Sequence, residues 1–145
     1  DLVDSLFANV PSGLGGGGVV EGGVDTVDEI LARGVEWAVE NGHAVEDDLA
    51  HCEDEGVREG ADPSKVSQKA KDRGKNQIGS LGSGNHFLEV QRVTDVFDDE
   101  VGDAYGLSED QIVVLIHCGS RGLGHQTCND YLRKIEQQCP ASPSP

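Results

Sequence analysis

Apolar and polar positions follow two periods along the chain, one typical of helices and the other of strands. Apolar residues recur every three or four positions in several segments, which predicts amphipathic helices. Two shorter segments predict strands, the first by alternation of its side chains and the second by a run of apolar, mostly β-branched residues. The helical segments are 1–10, 26–40, 62–73 and 124–138, and the strand segments are 86–93 and 111–117. This order predicts an α/β fold, with a mixed sheet flanked by helices.

Local signals set the ends of the first two helices. In the first helix, Leu2, Leu6 and Phe7 share one face and are expected to point inward. The second helix should begin at Thr26–Glu29, which matches a capping box. It should stop at Asn41-Gly42, since this pair favours a turn. We interpret the second helix as part of the core.

The other two helices are bounded by equally clear signals. Asp62-Pro63 places an N-cap before a first-turn proline, and the helix should run to Arg73 with Gly74 as its C-cap. The last helix should begin near Gly124 and end near Gln138. Its apolar face carries Cys128, Leu132 and Ile135, with Tyr131 beside them.

A glycine-rich loop precedes the first strand and leads directly to polar side chains. Gly79, Gly82 and Gly84 let the backbone approach a ligand closely, and Asn85 and His86 follow at once. Alternation along the strand predicts one face with Phe87, Glu89 and Gln91, and the other with His86, Leu88 and Val90. Such a polar cluster at the mouth of a strand favours a ligand or metal site.

The second strand, 111–117, contains five consecutive apolar residues, ends in His117 and should be buried. A glycine-rich turn with Ser120 and Arg121 comes next, and this arrangement suits an anion. We expect His86 and His117 to lie at the ends of neighbouring strands and to share a metal. Imidazole binds many first-row ions, so two histidines leave the metal open.

The net charge of −16, from 27 acidic and 11 basic residues, argues against holding nucleic acid by bulk electrostatics. The acidic residues are spread along the chain, which is typical of a salt-adapted surface. A nucleic-acid site would need a local basic pocket. The candidates are Lys69, Lys71, Arg73 and Lys75, and separately Arg121.

Other features narrow the chemistry and the compartment. The four cysteines include no C-x-x-C pair, so a reducing, cytoplasmic setting is expected, and no apolar run is long enough to span a membrane. The acidic stretch 46–55 contains His51 and Cys52, but we interpret it as a solvated face. Ser120 lacks a nucleophile-elbow pattern, and neither a Walker A motif nor a clear dinucleotide fingerprint is present.

Two long segments resemble the signature segments of the RtcB family of RNA-splicing ligases. They are Gly79–Gln91 and His117–Gln126. Shorter segments are similar to that family as well, namely Asn9–Gly13, Trp37–Val39, Glu59–Pro63 and Val66–Ala70. The acidic composition further resembles a salt-loving archaeal member. The resemblance covers residues 1–138 as a central, incomplete portion of the family's fold, whereas the Pro/Ser tail 139–145 does not resemble it.

The resemblance implies joining of RNA 3′-phosphate or 2′,3′-cyclic phosphate ends to 5′-hydroxyl ends, as in tRNA splicing and RNA repair. It implies GTP and two Mn²⁺ ions as cofactors, RNA such as tRNA halves as substrate, and archease as a helper protein. By motif position, His86 and His117 would bind manganese. Asn85, Phe87 and Glu89 would contact the guanylate or its metal. Arg73 and Arg121 would hold RNA phosphate.

This sequence also departs from the family pattern. No residue matches the family's guanylate-accepting histidine, and Cys118 stands where the family usually has threonine. We therefore expect the 145-residue chain alone to lack ligase activity. One alternative is a truncated homologue that binds metal, GMP or RNA, or a full-length ligase, without catalysis. A metal-dependent hydrolase is a weaker alternative, because no nucleophile or acid–base pair is evident.

Overall fold

The computed structural model describes residues 1–13 and 17–139 and confirms the α/β class. Leu14–Gly16, within the glycine loop, and Pro140–Pro145, within the Pro/Ser tail, lie outside the described residues. The described elements, in chain order, are α1 Leu2–Asn9, α2 Val24–Glu40, α3 Asp47–Ala50, α4 Gln68–Gly74, β1 Phe87–Arg92, α5 Asp99–Ala104, β2 Ile112–His117 and α6 Arg121–Gln138, with 3-10 turns at Glu53–Gly56 and Pro63–Lys65.

These elements divide into two compact units. The first holds residues 1–13 and 81–119, and therefore α1, α5 and both strands. The second holds residues 17–80 and 120–139, with the other four helices. No described helix is both long and apolar enough to cross a membrane.

In the first unit, β1 and β2 form an antiparallel pair, the only sheet among the described residues. Its register runs from Phe87 opposite His117 to Arg92 opposite Ile112. The expected burial of β2 is wrong, because Ile112 is 63% exposed and Ile116 is 60% exposed. A two-stranded ribbon has too few neighbours to cover both of its faces.

The first helix forms as expected, but its apolar face is not buried. Phe7 is 85% exposed, and Leu2 is also exposed, so the expectation that they point inward is wrong. Leu6 and Phe7 instead line an open apolar groove with Leu88 and Val90 of β1. The capping box of α1 is complete, since Asp1 accepts a hydrogen bond from the Asp4 amide and Asp4 accepts one from the amino terminus. Local capping therefore specifies this helix more strongly than burial does.

The second unit is built on α2, which begins at Val24 and not at the expected capping box. The helix ends at Glu40 with Asn41 as its C-cap, as predicted. It kinks at Gly34, whose φ of +52° and ψ of −129° are accessible only to glycine. A side chain at this position would overlap the carbonyl oxygen of Gly56. The kink thus lets the 3-10 turn approach the helix backbone.

The predicted helix 62–73 is two elements. Asp62 caps the short turn Pro63–Lys65 and accepts from the Ser64 amide, while Ser67 caps α4 and accepts from the Ala70 amide. The small core of this unit is Val20, Val27, Trp37 and Ala70.

Helix α4 packs against α6, and Gly74 makes the close approach possible, because a Cβ there would meet the Leu123 side chain. Helix α6 begins at Arg121, one turn before the expected start, and ends at Gln138 as predicted. Its apolar face is not covered, since Cys128, Leu132 and Ile135 are exposed.

Candidate functional site

The two histidines singled out by the sequence come together at one end of the strand pair. The ring centroids of His86 and His117 are 6.4 Å apart, with the planes tilted by 50°. His117 ends β2, and His86 immediately precedes β1, so the antiparallel pairing places both at the same end. The prediction that they lie at the ends of neighbouring strands is confirmed.

The glycine loop explains how His86 reaches its neighbour. Strict alternation would place His86 on the face opposite Phe87, and therefore away from His117. The ladder starts only at Phe87, and Gly84 has a φ of +74°, so the chain turns before the strand begins. His86 therefore does not follow the alternation of side chains along β1. Its Nε2 lies 3.8 Å from the point that a Cβ atom on Gly119 would occupy.

Phe87 packs directly on His117, with ring centroids 5.1 Å apart and planes tilted by 55°. Directly opposed residues of an antiparallel pair project to one face, so Phe87, Glu89 and His117 share a face. Glu89 is exposed and accepts a 2.6 Å hydrogen bond from the side chain of Gln91. Asn85 is exposed in the loop before β1. The structure therefore brings Phe87 and both histidines together, with Glu89 further along the same face.

The two imidazoles are suitable ligands for a first-row metal ion, but two ligands do not complete a metal site. Imidazole nitrogens bind such ions at about 2.0–2.1 Å, and a 6.4 Å centroid separation leaves room for one ion between the rings. Within residues 1–13 and 17–139, no group of three His, Cys, Asp or Glu side chains could hold a metal. The neighbouring Cys118 thiol donates to the Leu81 carbonyl at 3.0 Å. Any metal here therefore needs further ligands.

In the second unit, Arg73 is held by a chain of polar side chains between α4 and α6, of which only Gln126 is buried. Its Nη1 donates to Oε1 of Gln126 at 2.9 Å, and Nε2 of Gln126 donates to Oδ1 of Asp130 at 2.8 Å. The hydroxyl of Ser67 donates to the other carboxylate oxygen at 2.6 Å. These two hydrogen bonds lower the pKa of Asp130, with Ser67 the larger cause. Arg73 is thus held by the side-chain oxygen of Gln126, which is itself anchored to Asp130.

Arg121 begins α6 close to the same point. The Gly122 amide donates to Oε1 of Gln77 at 2.9 Å, and a Cβ at Gly122 would lie 3.3 Å from the carbonyl oxygen of Arg73. Arg121 is half-buried and has a φ of +53°, a conformation that is costly for a side-chain-bearing residue. The end of α4 and the start of α6 therefore bring the two predicted phosphate-binding arginines into one neighbourhood.

The expected basic pocket on α4 does not form as predicted. Lys71 is buried and pairs with Asp28 at 2.6 Å, and Lys75 pairs with Asp72 at 3.2 Å. Lys69 lies instead in a groove facing α6. Successive residues of a helix point in different directions, which separates this run of lysines.

The acidic stretch 46–55 is a solvated face, as interpreted from the sequence. Its carboxylates are exposed, and so are His51 and Cys52. A hydrogen bond to the Asp47 carbonyl, helped by the Asp47 carboxylate, raises the pKa of His51. This stretch contributes no group of metal ligands among the described residues.

Sequence reasoning missed Gln77 and Gln126, which fix the α4–α6 contact. A usable signal was present, because Gly122, Gln126 and Asp130 recur at four-residue spacing. This spacing predicts a single helix face with a small residue and two polar ones. Such a face favours close packing through hydrogen bonds over an apolar contact.

Comparisons with known proteins agree with the motif resemblance. The family model described as tRNA-splicing ligase RtcB matches residues 1–144. A protein of Thermococcus kodakarensis named tRNA-splicing ligase RtcB is 59% identical over 137 residues, which cover 94% of this chain and 28% of the relative. The protein of that name from Archaeoglobus fulgidus is 54% identical over 136 residues, again 94% of this chain and 28% of the relative.

A third relative of the same name, from Methanocaldococcus jannaschii, is 54% identical over 137 residues and is covered for only 14% of its length. The chain thus spans 28% or less of these curated relatives. The family match extends over nearly all 145 residues and includes both histidines and both arginines. This chain belongs to the tRNA-splicing ligase RtcB family.

Proposed function

We propose that this chain forms part of a GTP- and Mn²⁺-dependent RNA ligase. The reaction would join RNA 3′-phosphate or 2′,3′-cyclic phosphate ends to 5′-hydroxyl ends, in tRNA splicing and RNA repair, in the cytoplasm. The observation that carries this proposal is the meeting of His86 and His117 at one end of the strand pair. The names of the relatives support an RNA substrate.

His86 and His117 would hold manganese, which would neutralise phosphate charge and orient the attacking group. Phe87, whose ring centroid lies 5.1 Å from that of His117, would fix the His117 ring and would line the guanylate pocket. Asn85 and Glu89, exposed beside them, would supply an amide and a carboxylate to the guanylate or its metal.

Arg73 and Arg121 would bind RNA phosphate through paired N–H donors. Gln126 uses its side-chain oxygen to hold one N–H group of Arg73. Since a guanidinium has five N–H donors, the remaining donors of Arg73 can serve a phosphate. This division orients the arginine before RNA arrives, which reduces the conformational entropy lost on binding.

We further propose that the 145-residue chain alone does not ligate RNA. Two imidazoles supply fewer ligands than a manganese ion requires, and among the described residues they belong to no group of three His, Cys, Asp or Glu side chains that could hold a metal. The same observation favours the second candidate function, a protein that binds metal, GMP or RNA without catalysis. A full-length ligase would then be its partner, whereas archease would assist the ligase of the first proposal.

Titration calorimetry with Mn²⁺ tests the metal site. The chain should bind Mn²⁺, and His86→Ala and His117→Ala should each weaken binding by at least about tenfold, since each removes one of two protein ligands. His125→Ala is the matched control, because His125 is an exposed histidine on α6 and should not alter binding. Equal binding by all four proteins would overturn the metal assignment.

A ligation assay separates the two candidate functions. With GTP, Mn²⁺ and RNA carrying 3′-phosphate and 5′-hydroxyl ends, the chain should yield no sealed product above background. Sealing would overturn the proposed inactivity. Mn²⁺ binding without sealing would favour either a binding role or dependence on further ligase segments, and adding a full-length ligase that carries an inactivating substitution would then distinguish them.

A further inference from the structure

A basic groove lies between the start of α4 and the second half of α6, within the second unit. Its volume is about 420 Å³, and Lys65, Lys69, Arg133 and Lys134 line it together with Tyr131. The lysines before and in α4 are more than sixty positions from the basic pair on α6. Only the packing of α4 on α6 brings these four cations to one place.

The groove concentrates positive charge on a strongly acidic protein. Four of the 11 basic residues of the whole chain line it, against a background of 27 acidic residues. Within the part of the chain that the structure describes, Lys69, Arg133 and Lys134 form no direct ion pair, although the charges of Lys69 and Arg133 help to lower the pKa of Asp130, a carboxylate that also lines the groove. Lys65 makes one long pair, at 3.7 Å, with Asp62. A local site of this kind attracts an anionic partner even though the molecule as a whole repels one.

The walls of the groove are fixed before any partner binds. The hydroxyl of Tyr131 donates to the carbonyl of Lys65 at 3.1 Å, and the ammonium of Lys134 lies 4.3 Å from the centre of the Tyr131 ring. Ser67 and Asp130, which also line the groove, are joined by a hydrogen bond. Since Lys134 covers one face of Tyr131, that face is not open for stacking on bases. The groove therefore offers mainly positive charge to a partner.

The groove and Arg73 occupy opposite ends of the same short helix. Ser67 caps the start of α4 beside the groove, and Arg73 lies six residues further on, about 9 Å along the helix axis. Gln126 and Asp130 connect the two places through hydrogen bonds. A single RNA strand that follows the α4–α6 pair could therefore contact the groove while its end reaches Arg73.

We propose that this groove binds the phosphate backbone of the RNA substrate away from the ends that react. The inference rests on the proposed RNA ligase function and adds a second, sequence-independent contact to it. An acidic protein segment would satisfy the same cations, but the names of the relatives specify a tRNA-splicing enzyme, which makes RNA the polyanion at hand. The cations supply affinity and position, and they carry no base specificity.

Fluorescence anisotropy with a labelled single-stranded RNA of about 20 nucleotides tests the groove on the 145-residue chain. The double variant Lys69→Gln/Lys134→Gln should bind about tenfold more weakly at low salt. The slope of log K against log salt should become less steep by about 1.4, or about 0.7 for each lost phosphate contact. Lys69→Arg/Lys134→Arg should restore binding, because it keeps both charges.

The matched control is Arg33→Gln/Arg58→Gln, which removes the same charge from two arginines outside the groove. It should change the affinity less than twofold. If the control pair weakens RNA binding equally, binding depends on the overall charge of the chain, and the groove assignment is overturned. The assignment is also overturned if the unsubstituted chain does not bind RNA. A polyglutamate peptide that competes as well as unlabelled RNA would overturn RNA as the occupant.

Titration with Mn²⁺ distinguishes a failure of the groove proposal from a failure of the proposed metal site. The groove variant should bind Mn²⁺ like the unsubstituted chain, because neither lysine belongs to the unit with the two histidines. Groove-dependent RNA binding without Mn²⁺ binding would overturn the metal proposal and support the groove. The opposite pattern would overturn the groove and leave the metal proposal supported.

Discussion

Arg73 donates a 2.9 Å hydrogen bond to the side-chain oxygen of Gln126, of which only 3% is exposed. Gln126 in turn donates to Asp130, so one buried amide connects a cation on α4 to a carboxylate on α6. We predict that Gln126→Leu lowers the free energy of unfolding by about 1–3 kcal/mol, because both partners lose a hydrogen bond and leucine cannot replace it. Urea denaturation followed by circular dichroism measures this loss.

Gln137→Leu is the control for that substitution. Gln137 lies on the same helix but is exposed, so leucine there should change the free energy of unfolding by less than about 0.5 kcal/mol. If the two substitutions cost the same, the buried amide does not stabilise the α4–α6 contact.

The ion pair between Lys71 and Asp28 should show an asymmetry between its partners. The Lys71 side chain is 10% exposed and that of Asp28 is 37% exposed, with 2.6 Å between their charged atoms. Removing one partner of a fully buried pair costs about 3–5 kcal/mol, and the partial exposure of Asp28 reduces that cost here. We predict that Asp28→Asn lowers the free energy of unfolding more than Lys71→Met does. The asparagine variant leaves the more buried charge, that of Lys71, without its partner.

Chemical denaturation of both variants measures the difference. The exposed pair Lys75–Asp72 supplies the control, since surface pairs contribute about 0–1 kcal/mol. Lys75→Met should therefore have little effect on the free energy of unfolding. A larger loss in Lys71→Met than in Asp28→Asn would contradict the argument from burial.

Several features were predictable from sequence because they depend on neighbours along the chain. Asn41-Gly42 ends α2, and the metal-ligand candidates were found because each histidine adjoins both a strand and a glycine-rich loop. Their meeting also required that β1 and β2 pair in the observed register and that the chain turn at Gly84, which takes His86 off the face that alternation assigns to it. Local signals therefore predicted the histidine pair together with its strands.

Features that depend on distant packing were not predictable in the same way. The basic run on α4 looked like one pocket, but Lys71 turns inward to Asp28 while Lys69 joins cations from α6. The apolar run of β2 looked like a buried strand, yet burial requires covering elements, and a two-stranded ribbon provides few. Periodicity specifies which side chains share a face, and tertiary packing decides what that face meets.

The carboxylate of Asp130 should make stability depend on pH in the acid range. Hydrogen bonds from Ser67, and then from Gln126, lower its pKa in the folded chain. A lowered pKa stabilises the fold above the pKa of the unfolded chain, and that stabilisation is lost as pH falls through the folded value. We predict that the destabilisation caused by Asp130→Asn is greatest near neutral pH and shrinks below about pH 4.

Urea denaturation from about pH 6 to about pH 3 tests this, with Ser67→Ala as a second background. Since Ser67 is the main cause of the lowered pKa, Asp130→Asn should have a smaller pH-dependent effect in that background. If the difference in the free energy of unfolding between the parent and Asp130→Asn does not change with pH, the Asp130 carboxylate does not make stability depend on pH.

The kink of α2 gives the last prediction, because two glycines with positive φ differ in what surrounds them. Gly34 has a φ of +52° and faces the carbonyl oxygen of Gly56, whereas Gly42 has a φ of +74° and open space around its Cβ position. Alanine should cost about 1–2 kcal/mol in backbone strain at Gly42. At Gly34 the cost should be greater by at least about 1–3 kcal/mol, because its φ and ψ are accessible only to glycine and a Cβ would overlap a backbone atom. Thermal unfolding of both alanine variants compares the two costs directly. Equal melting temperatures would mean that the turn at Gly56 moves freely away from α2, and that the kink does not depend on their contact.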